Sequence, residues 1–220
     1  MSVPNHAVCF IVGAGAVDPD LHLSPAPGDL LIAADGGLPA VERMGLVPQL
    51  VIGDFDSLGH APNHPNTIIL PTEKDDTDMA AAIKLGLERG YRRFALYGGT
   101  GGRLAHTLAN LQLLDGLAQQ GFRGFLVGDG TVATALCGGT LTFPTHMSGY
   151  LSLFCHSGQA SGVTLTGLKY SLSNATLTGS TPLGVSNEFT GQPARVTVEN
   201  GVLLILWQGA DVEEGLLRTL

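Results

Sequence analysis

Charged and aromatic residues are scarce in this sequence, and long apolar runs are absent from it. Charged residues make up 14% and aromatic residues 6% of the 220 residues, whereas hydrophobic residues make up 44%. This balance excludes an intrinsically disordered chain, which has many charged and few hydrophobic residues. No apolar run reaches the roughly 18 residues that a membrane span needs, and the first residues lack the positive charge that opens a signal peptide. We therefore expect a cytoplasmic protein with no membrane partner.

Basic residues and cysteines are also few. The net charge of −8 argues against a broad basic face, so we expect no nucleic-acid partner. Cys9, Cys137 and Cys155 form no CxxC pair and lie in apolar runs, which predicts buried thiols rather than disulfides or zinc ligands. Two nucleotide-binding fingerprints are missing as well. There is no GxxxxGK[ST] motif, and Asp18 interrupts the GxGxxG pattern that would begin at Gly13.

Residues 1–137 alternate short apolar runs with helical patterns. Apolar residues at helical spacing predict one helix beginning near Asp76 and another near Arg103. This alternation predicts an α/β domain with a mainly parallel, Rossmann-like sheet flanked by helices. The predicted strands are Ala7–Val12, Leu30–Ala34, Leu50–Ile52, Thr67–Leu70, Phe94–Tyr97 and Phe125–Val127.

Residues 138–220 show a different pattern, in which short strands recur between Gly, Ser, Thr and Asn and no long helical stretch intervenes. This pattern predicts an all-β sandwich. The boundary between the two predicted domains lies where Gly138 and Gly139 interrupt the alternation. The predicted strands are Tyr150–Cys155, Gly162–Thr166, Ala175–Leu177, Ala194–Val198 and Val202–Trp207.

Aspartates concentrate at the ends of three successive predicted strands. Asp35 follows the second strand, Asp54 and Asp56 follow the third, and Asp75 and Asp78 come shortly after the fourth. Ligands of open parallel sheets bind outside the carboxyl ends of the strands, where these loops would converge. Each motif alone is also an ordinary turn or helix cap. Together they favour a Mg²⁺ site, because Mg²⁺ prefers carboxylate oxygens plus substrate phosphates.

A glycine-rich segment follows the fifth predicted strand and leads directly into a helix. Backbone N–H groups in such a turn, together with the helix N-terminus, can bind an anion. The planar guanidinium of Arg103 suits phosphate, and His106 and Asn110 fall on the same stripe of the helix. The alternative is a plain loop with an arginine facing solvent. The candidate phosphate-binding residues are Gly98, Gly99, Thr100, Gly101, Gly102, Arg103, His106 and Asn110.

Taken in order, these motifs resemble the thiamine pyrophosphokinase (thiamine diphosphokinase) family. The family pattern usually has Asp where this chain has Ala105, which leaves the neighbouring His106 less constrained. The resemblance covers roughly residues 8–206 and rests on AADGG at 33–37, GDFDS at 53–57, KDDTD at 74–78, GGRLAHTLAN at 101–110, GLKY at 167–170 and GVSNEF at 184–189.

The resemblance implies a two-domain homodimer that transfers the pyrophosphoryl group of ATP to thiamine, giving thiamine diphosphate and AMP. The second domain would bind thiamine at the dimer interface. The resemblance implies Mg²⁺ ligands that are also catalytic residues, namely Asp54, Asp56, Asp75 and Asp78, with Arg103 as a further catalytic residue. It implies that ATP is bound by Asp35, the glycine-rich segment, Arg103, His106 and Asn110. It implies that thiamine is bound by Tyr170, Ser186 and Asn187.

Two other functions fit the residues alone. In a metal-dependent phosphohydrolase the same carboxylates would activate water instead of admitting an alcohol. In a nucleotide or vitamin-binding module they would have no catalytic role. The sequence also leaves open whether Asp75 or Asp78 accepts the proton of the attacking hydroxyl.

Overall fold

One twelve-stranded sheet runs through the protein in the computed structural model, which describes residues 3–56, 59–156 and 158–218. The strands are β1 Cys9–Val12, β2 Leu30–Ala34, β3 Leu50–Gly53, β4 Thr67–Ile69, β5 Arg93–Tyr97, β6 Arg123–Gly128, β7 Thr131–Phe143, β8 Tyr150–Cys155, β9 Gln159–Thr166, β10 Leu172–Thr178, β11 Gly184–Glu188 and β12 Ala194–Gln208. The helices are α1 Leu38–Arg43, α2 Asp78–Glu88, α3 Leu104–Gln119 and α4 Glu214–Arg218. The architecture is mixed α/β, with one large sheet and few helices.

The first six strands pair in parallel, in the spatial order β4-β3-β2-β1-β5-β6. The chain moves outward from β1 to β4, and β5 then returns to the other side of β1. The order therefore reverses between β1 and β5, and a crevice opens there at the carboxyl ends of the strands. This reversal is the feature of the fold that positions the site.

Helices cover both faces of the parallel strands because the strand residues alternate between two apolar clusters. Cys9 and Ile11 of β1 face the cluster that α2 and α3 cover, whereas Phe10 and Val12 face the cluster that includes residues of α1 and α4. All four side chains are buried. Two covered faces explain why β1, β2 and β3 contain no polar side chain.

The long strands β7 and β12 join the parallel half to the C-terminal strands. The first part of β12 pairs with β9, and its second part pairs with β8; β10 and β11 then add to β9 and β8 respectively. Leu153 of β8 and Val163 of β9 belong to the same buried cluster as Trp207 of β12. The C-terminal strands therefore form two arms that pack around one shared core.

The structure differs from the sequence expectations at several positions. The segments 194–198 and 202–207 belong to one strand, β12, because the chain continues through a bulge between Val198 and Val202. Gly138 and Gly139 lie inside β7 with positive φ. The division into domains 1–137 and 138–220 stays a prediction. The expectation of three buried thiols is confirmed for Cys9, but Cys155 is only partly buried and the expectation is wrong for Cys137, which is exposed.

No helix within the described ranges combines the length and the apolar character that crossing a membrane requires.

Candidate active site

Three carboxylates converge at the carboxyl end of the parallel strands. Asp35 directly follows β2, Asp54 directly follows β3, and the register pairs Ala34 with Ile52, so the two strands end side by side. Asp78 is the first residue of α2, and the Thr77 side chain caps that helix by accepting a hydrogen bond from the Ala80 N–H. One oxygen from each of the three carboxylates lies within 4.8 Å of the other two. Such a group of oxygens suits a hard divalent cation.

Lys74 reaches into this group of carboxylates. Its Nζ lies 2.5 Å from Asp54 Oδ2 and 3.2 Å from Asp78 Oδ1. Partial burial disfavours the charge of Lys74, but the two carboxylates outweigh this and raise its pKa. The hydrogen bond from Lys74 also holds the pKa of Asp54 below its usual value. The ammonium group is therefore the internal counter-ion of the carboxylates.

Asp78 differs from Asp54 because burial dominates its environment. Burial raises the pKa of Asp78, although Lys74 acts in the opposite direction. Its Oδ1 is buried and forms an ion pair with Lys74 Nζ at 3.2 Å. Buried charged oxygens normally have partners. A cation or a donor from a ligand could therefore take over the role that Lys74 has here.

The two other predicted metal ligands lie outside the three-carboxylate group. Asp56 and Asp75 are both exposed, and neither contributes an oxygen to that group. A cavity opens beside the three carboxylates. Asp56, Thr72 and Asp76 line this cavity, whereas Asp75 is not among its lining residues. The metal-binding roles of Asp56 and Asp75 stay predictions. Ser57, the last residue of the GDFDS motif, lies outside the described residues.

Glycines let two loops approach each other closely beside the carboxylates. The segment after β1 crosses the segment after β5, and the Gly15 N–H donates to the Gly98 carbonyl at 2.8 Å. Gly98 has a φ of 62°, and a Cβ there would lie 2.3 Å from the Gly13 carbonyl oxygen. Only glycine fits this backbone and this contact. We call the crossing of residues 13–16 with residues 97–101 the glycine ridge.

Helix α3 begins just beyond the glycine ridge and contributes three predicted ATP-binding side chains to the cavity. Arg103 is the N-cap residue and His106 lies in the first turn; both side chains are exposed. Asn110 is buried, and its Nδ2 donates to the Gly99 carbonyl at 2.8 Å. Asn110 thus fixes the glycine turn to the helix, whereas Arg103 and His106 remain available to a ligand.

The resulting cavity has a volume of about 680 Å³ and lies between the carboxylates and the glycine ridge. One side carries Asp35, Asp54 and Asp78, and the other carries Arg103 and the helix N-terminus. A phosphate chain with a divalent cation complements this distribution of charge. Of the predicted ATP-binding residues, the cavity lining includes Asp35, Gly98, Gly99, Thr100, Gly102, Arg103, His106 and Asn110; Gly101, with a φ of 75°, shapes the turn behind it.

The three predicted thiamine-binding residues lie together, away from this cavity. Asn187 Oδ1 accepts from the backbone N–H of Tyr170, and its Nδ2 donates to the Tyr170 carbonyl at 2.7 Å. Asn187 is buried and Ser186 is exposed with a φ of 58°, while the Tyr170 ring is 60% exposed. None of the three is among the described residues that line the cavity. Their thiamine-binding roles stay predictions.

Sequence reasoning overlooked Lys74 as a site residue. The signals were its place as the first residue of the KDDTD motif and its position at i−4 from Asp78, and neither fixes its direction or its proximity to Asp54. The structure also shows where Ala105, which departs from the family pattern, lies. Ala105 is exposed in the first turn of α3 and is not among the residues that line the cavity.

Comparisons with known proteins test the family that the motifs suggest. The family model for the thiamin pyrophosphokinase catalytic domain matches residues 26–126, and the model for the thiamin pyrophosphokinase vitamin B1 binding domain matches residues 140–203. The thiamine pyrophosphokinase of Bacillus subtilis (strain 168) is 28% identical over 195 residues, covering 86% of this chain and 91% of that protein.

Solved structures of thiamine pyrophosphokinases share the fold of this chain. The thiamine pyrophosphokinase of Bacillus subtilis aligns with a TM-score of 0.79 at 24% identity, covering 92% of this chain and 99% of that one. The thiamin pyrophosphokinase of Geobacillus thermodenitrificans aligns with a TM-score of 0.77 at 28% identity, covering 92% and 97% respectively. With matches to both domain models in their order along most of its length, the chain belongs to the thiamin pyrophosphokinase family.

Proposed function

We propose that this protein is a thiamine diphosphokinase, a transferase that makes thiamine diphosphate. The hydroxyl oxygen of thiamine attacks the β-phosphorus of ATP, and the bond from that phosphorus to the oxygen bridging the α- and β-phosphates breaks. The pyrophosphoryl group passes to thiamine, and AMP leaves with the bridging oxygen. The observation that carries the proposal is the cavity in which three carboxylates face an arginine across a glycine turn, in a chain of this family.

The chain contributes mainly by positioning the phosphates and neutralising their charge, as is usual in phosphoryl transfer. The backbone of residues 98–102 and the N-terminus of α3 hold the phosphate chain, and Arg103 adds a planar fork of donors. Asn110 keeps the turn in place through its bond to Gly99. Lys74 lines the same cavity and can move from the carboxylates to a phosphate oxygen.

Magnesium is the cofactor that we propose for this site. Asp35, Asp54 and Asp78 fit it, because one oxygen from each converges on the same place and Mg²⁺ prefers carboxylate oxygens. Bound Mg²⁺ would neutralise the phosphate oxygens and leave the β-phosphorus open to attack. For the hydroxyl proton we propose Asp78 as acceptor, because it lines the cavity and Asp75 is not among the lining residues.

We also propose a homodimer, with thiamine bound between the two chains. The predicted thiamine-binding residues lie outside the cavity of their own chain, so a second chain has to bring them to the phosphates. An exposed apolar surface supports this. Phe154 pairs with Leu204 across β8 and β12 and therefore faces the same side as α3. We call this side the α3–β8 surface; its exposed apolar residues are Leu104, Leu108, Tyr150, Phe154 and Val185.

The remaining proposals rest on the fold. We assign the parallel half as a Rossmann-like nucleotide-binding unit, because the strand order reverses beside the glycine ridge. The cytoplasmic location expected from the sequence stays a prediction.

The decisive experiment is to measure thiamine diphosphate and AMP in reactions containing ATP and Mg²⁺, with and without thiamine. AMP should form only with thiamine and in equal amount to thiamine diphosphate. Asp54→Asn and Asp78→Asn should each lower turnover by about a hundredfold or more, because they remove charge without volume. Asp20→Asn is the matched control, since Asp20 is exposed and is not among the residues lining the cavity.

Two results would contradict the proposal. AMP or phosphate release at the same rate without thiamine would identify a phosphohydrolase. Binding of ATP without any turnover would identify a binding module. Circular dichroism of each variant would verify that the fold is retained.

A further inference from the structure

Two arginines lie side by side at the amino edge of the parallel strands, which is the edge opposite the candidate active site. Arg93 is the first residue of β5, Arg123 is the first residue of β6, and the register pairs them directly. Their Cα atoms are therefore about 4.8 Å apart, and both side chains leave the same face of the sheet. Ala95 and Phe125 lie on that face and belong to the cluster that includes residues of α4.

Neither of these guanidinium groups has an anionic partner in the described part of the chain. Arg93 is only 5% exposed, and Arg123 is partly buried. Arg93 Nε and Arg123 Nη1 are buried, and neither is hydrogen-bonded to a described residue. No ion pair between described residues includes either arginine. Buried donors and charges normally have partners, so two such donors on neighbouring strands point to a ligand that accepts hydrogen bonds.

The charges around the pair also favour an anion. Burial and the charge of Arg218 lower the pKa of Arg93, while burial and the charge of Arg93 lower the pKa of Arg123. Both groups nevertheless stay charged, because guanidinium does not lose its proton in proteins. The Asp29 carboxylate is already bound to Arg218. Two like charges held together away from water therefore repel each other until an anion neutralises them.

The remaining arginines of the chain lack this combination of burial and missing partners. Arg218 is paired with Asp29, as described above. The five others are exposed to water, namely Arg43, Arg89, Arg92, Arg103 and Arg195. The net charge of −8 also opposes general attraction of anions to the surface. Anion binding at the amino edge would therefore depend on the local geometry of the two buried groups.

The chemistry of the pair selects the kind of anion. Each guanidinium offers a planar fork of donors that suits two oxygens of one ligand. A tetrahedral dianion has enough oxygens and charge for both groups, whereas a carboxylate has two oxygens and one charge. We propose that Arg93 and Arg123 bind a divalent tetrahedral oxyanion, phosphate or sulfate, between the amino ends of β5 and β6.

This site is separate from the proposed function. Arg93 and Tyr97 are the first and last residues of β5, so its two ends are about 13 Å apart at roughly 3.3 Å per residue. The phosphate side of the candidate active site follows the far end. An anion that binds only the folded chain stabilises the fold, so we expect this site to couple oxyanion concentration to stability.

The test is a calorimetric titration with inorganic phosphate in mildly alkaline buffer, at constant ionic strength and without Mg²⁺ or nucleotide. All proteins carry Arg103→Met, which removes the arginine contact that we expect for phosphate in the candidate active site. Arg123→Met then removes one guanidinium from a partly exposed position, and Arg123→Lys keeps its charge without the planar fork. Arg89→Met is the control, because Arg89 is an exposed arginine at the end of α2.

The Arg103→Met protein should bind one phosphate. Arg123→Met should weaken this binding about tenfold or more, Arg123→Lys should weaken it about threefold to tenfold, and Arg89→Met should leave it within about twofold. Sulfate should displace the phosphate, and acetate at the same ionic strength should not. Absence of saturable binding, binding unaffected by Arg123→Met, or acetate bound as tightly as phosphate would overturn the inference.

Denaturant titrations of the same proteins separate a binding role from a loss of fold. Without phosphate, Arg123→Met should unfold at the same or a higher denaturant concentration, because it removes a partly buried charge that has no partner among the described residues. Phosphate should raise the midpoint of the Arg103→Met protein and leave that of the protein with the added Arg123→Met unchanged. An equal rise in both proteins would contradict the proposed site.

Discussion

At the scale of single residues, Lys74 lies where it would compete with the proposed metal ion. Its ammonium lies 2.5 Å from Asp54, among the oxygens that would coordinate the ion. The proposed divalent cation would have to displace Lys74, since two cations at this separation repel each other strongly. We expect the displaced Lys74 to contact the phosphates of the substrate.

We expect Lys74→Met to tighten Mn²⁺ binding to the nucleotide-free protein by about tenfold, because the competing positive charge is removed. Turnover should fall in the same variant, because a phosphate contact is lost. Electron paramagnetic resonance of free Mn²⁺ gives the affinity. Lys84→Met, an exposed lysine of α2, should change neither quantity. Unchanged or weaker Mn²⁺ binding in Lys74→Met would show that Lys74 does not compete with the ion.

At the scale of elements, we expect the junction between the glycine ridge and α3 to determine phosphate binding. Arg103 is the N-cap of α3, but its side chain makes no cap hydrogen bond and lines the cavity instead. Arg103→Lys keeps the charge and loses the planar fork of donors. We expect the Michaelis constant for ATP to rise about tenfold or turnover to fall by that factor. Steady-state kinetics test this, with Arg195→Lys at an exposed position as control. Wild-type kinetics in Arg103→Lys would show that the planar fork of Arg103 does not bind the phosphates.

Helix α4 is attached to the parallel sheet by a buried ion pair. Arg218 donates two hydrogen bonds to Asp29, at 3.0 and 2.9 Å, and Asp29 also accepts from the backbone N–H groups of Val8 and Ala26. The Asp29 side chain is only 1% exposed. Burial alone would raise the pKa of Asp29, but these hydrogen bonds outweigh it and lower the pKa.

We expect Asp29→Asn to lower the free energy of unfolding by about 3 kcal/mol at neutral pH, because it leaves Arg218 without its buried partner. The lower folded-state pKa means that the stabilisation is complete above the unfolded pKa of about 4 and is lost as the pH falls through the folded pKa. Denaturant titrations of both proteins should therefore converge in acid. Glu214→Gln, which removes the exposed second partner of Arg218, should cost about 1 kcal/mol or less; an equal loss would refute the assignment.

At the scale of the whole molecule, the α3–β8 surface and the separation of the two predicted substrate sites point to a dimer. Light scattering should give about twice the chain mass of 22.8 kDa. Tyr170→Ala should raise the Michaelis constant for thiamine far more than that for ATP, because the exposed ring suits a thiazolium cation. A strictly monomeric protein with full thiamine-dependent activity would disprove the shared site and leave the metal site unaffected.

Charge placed on the α3–β8 surface tests its role directly. Phe154→Glu should shift the protein toward monomer, because an unpaired carboxylate would be buried in the interface. Ile69→Glu is the matched control. Ile69 is 67% exposed on β4, at the opposite end of the sheet, and should leave the mass unchanged.

Local patterns in the sequence were enough to locate most of the secondary structure and the phosphate side of the site. The central parallel strands are apolar on both faces, so β1, β2 and β5 could be recognised from hydrophobicity alone. Glycines followed by Arg103 marked the turn and the start of α3, because that backbone accepts few other residues. The order of the motifs along the chain was sufficient to suggest the family.

Tertiary structure decided which of the acidic residues act together and where the C-terminal strands attach. Asp35, Asp54 and Asp78 converge because β2 and β3 end in register and α2 begins beside them, and spacing along the chain cannot express this. The position of Lys74 beside Asp54 depends on a contact between loops that are distant in sequence. The periodicity of apolar residues reflects only how a residue relates to its neighbours along the sequence. The features named above depend instead on how separate elements pack.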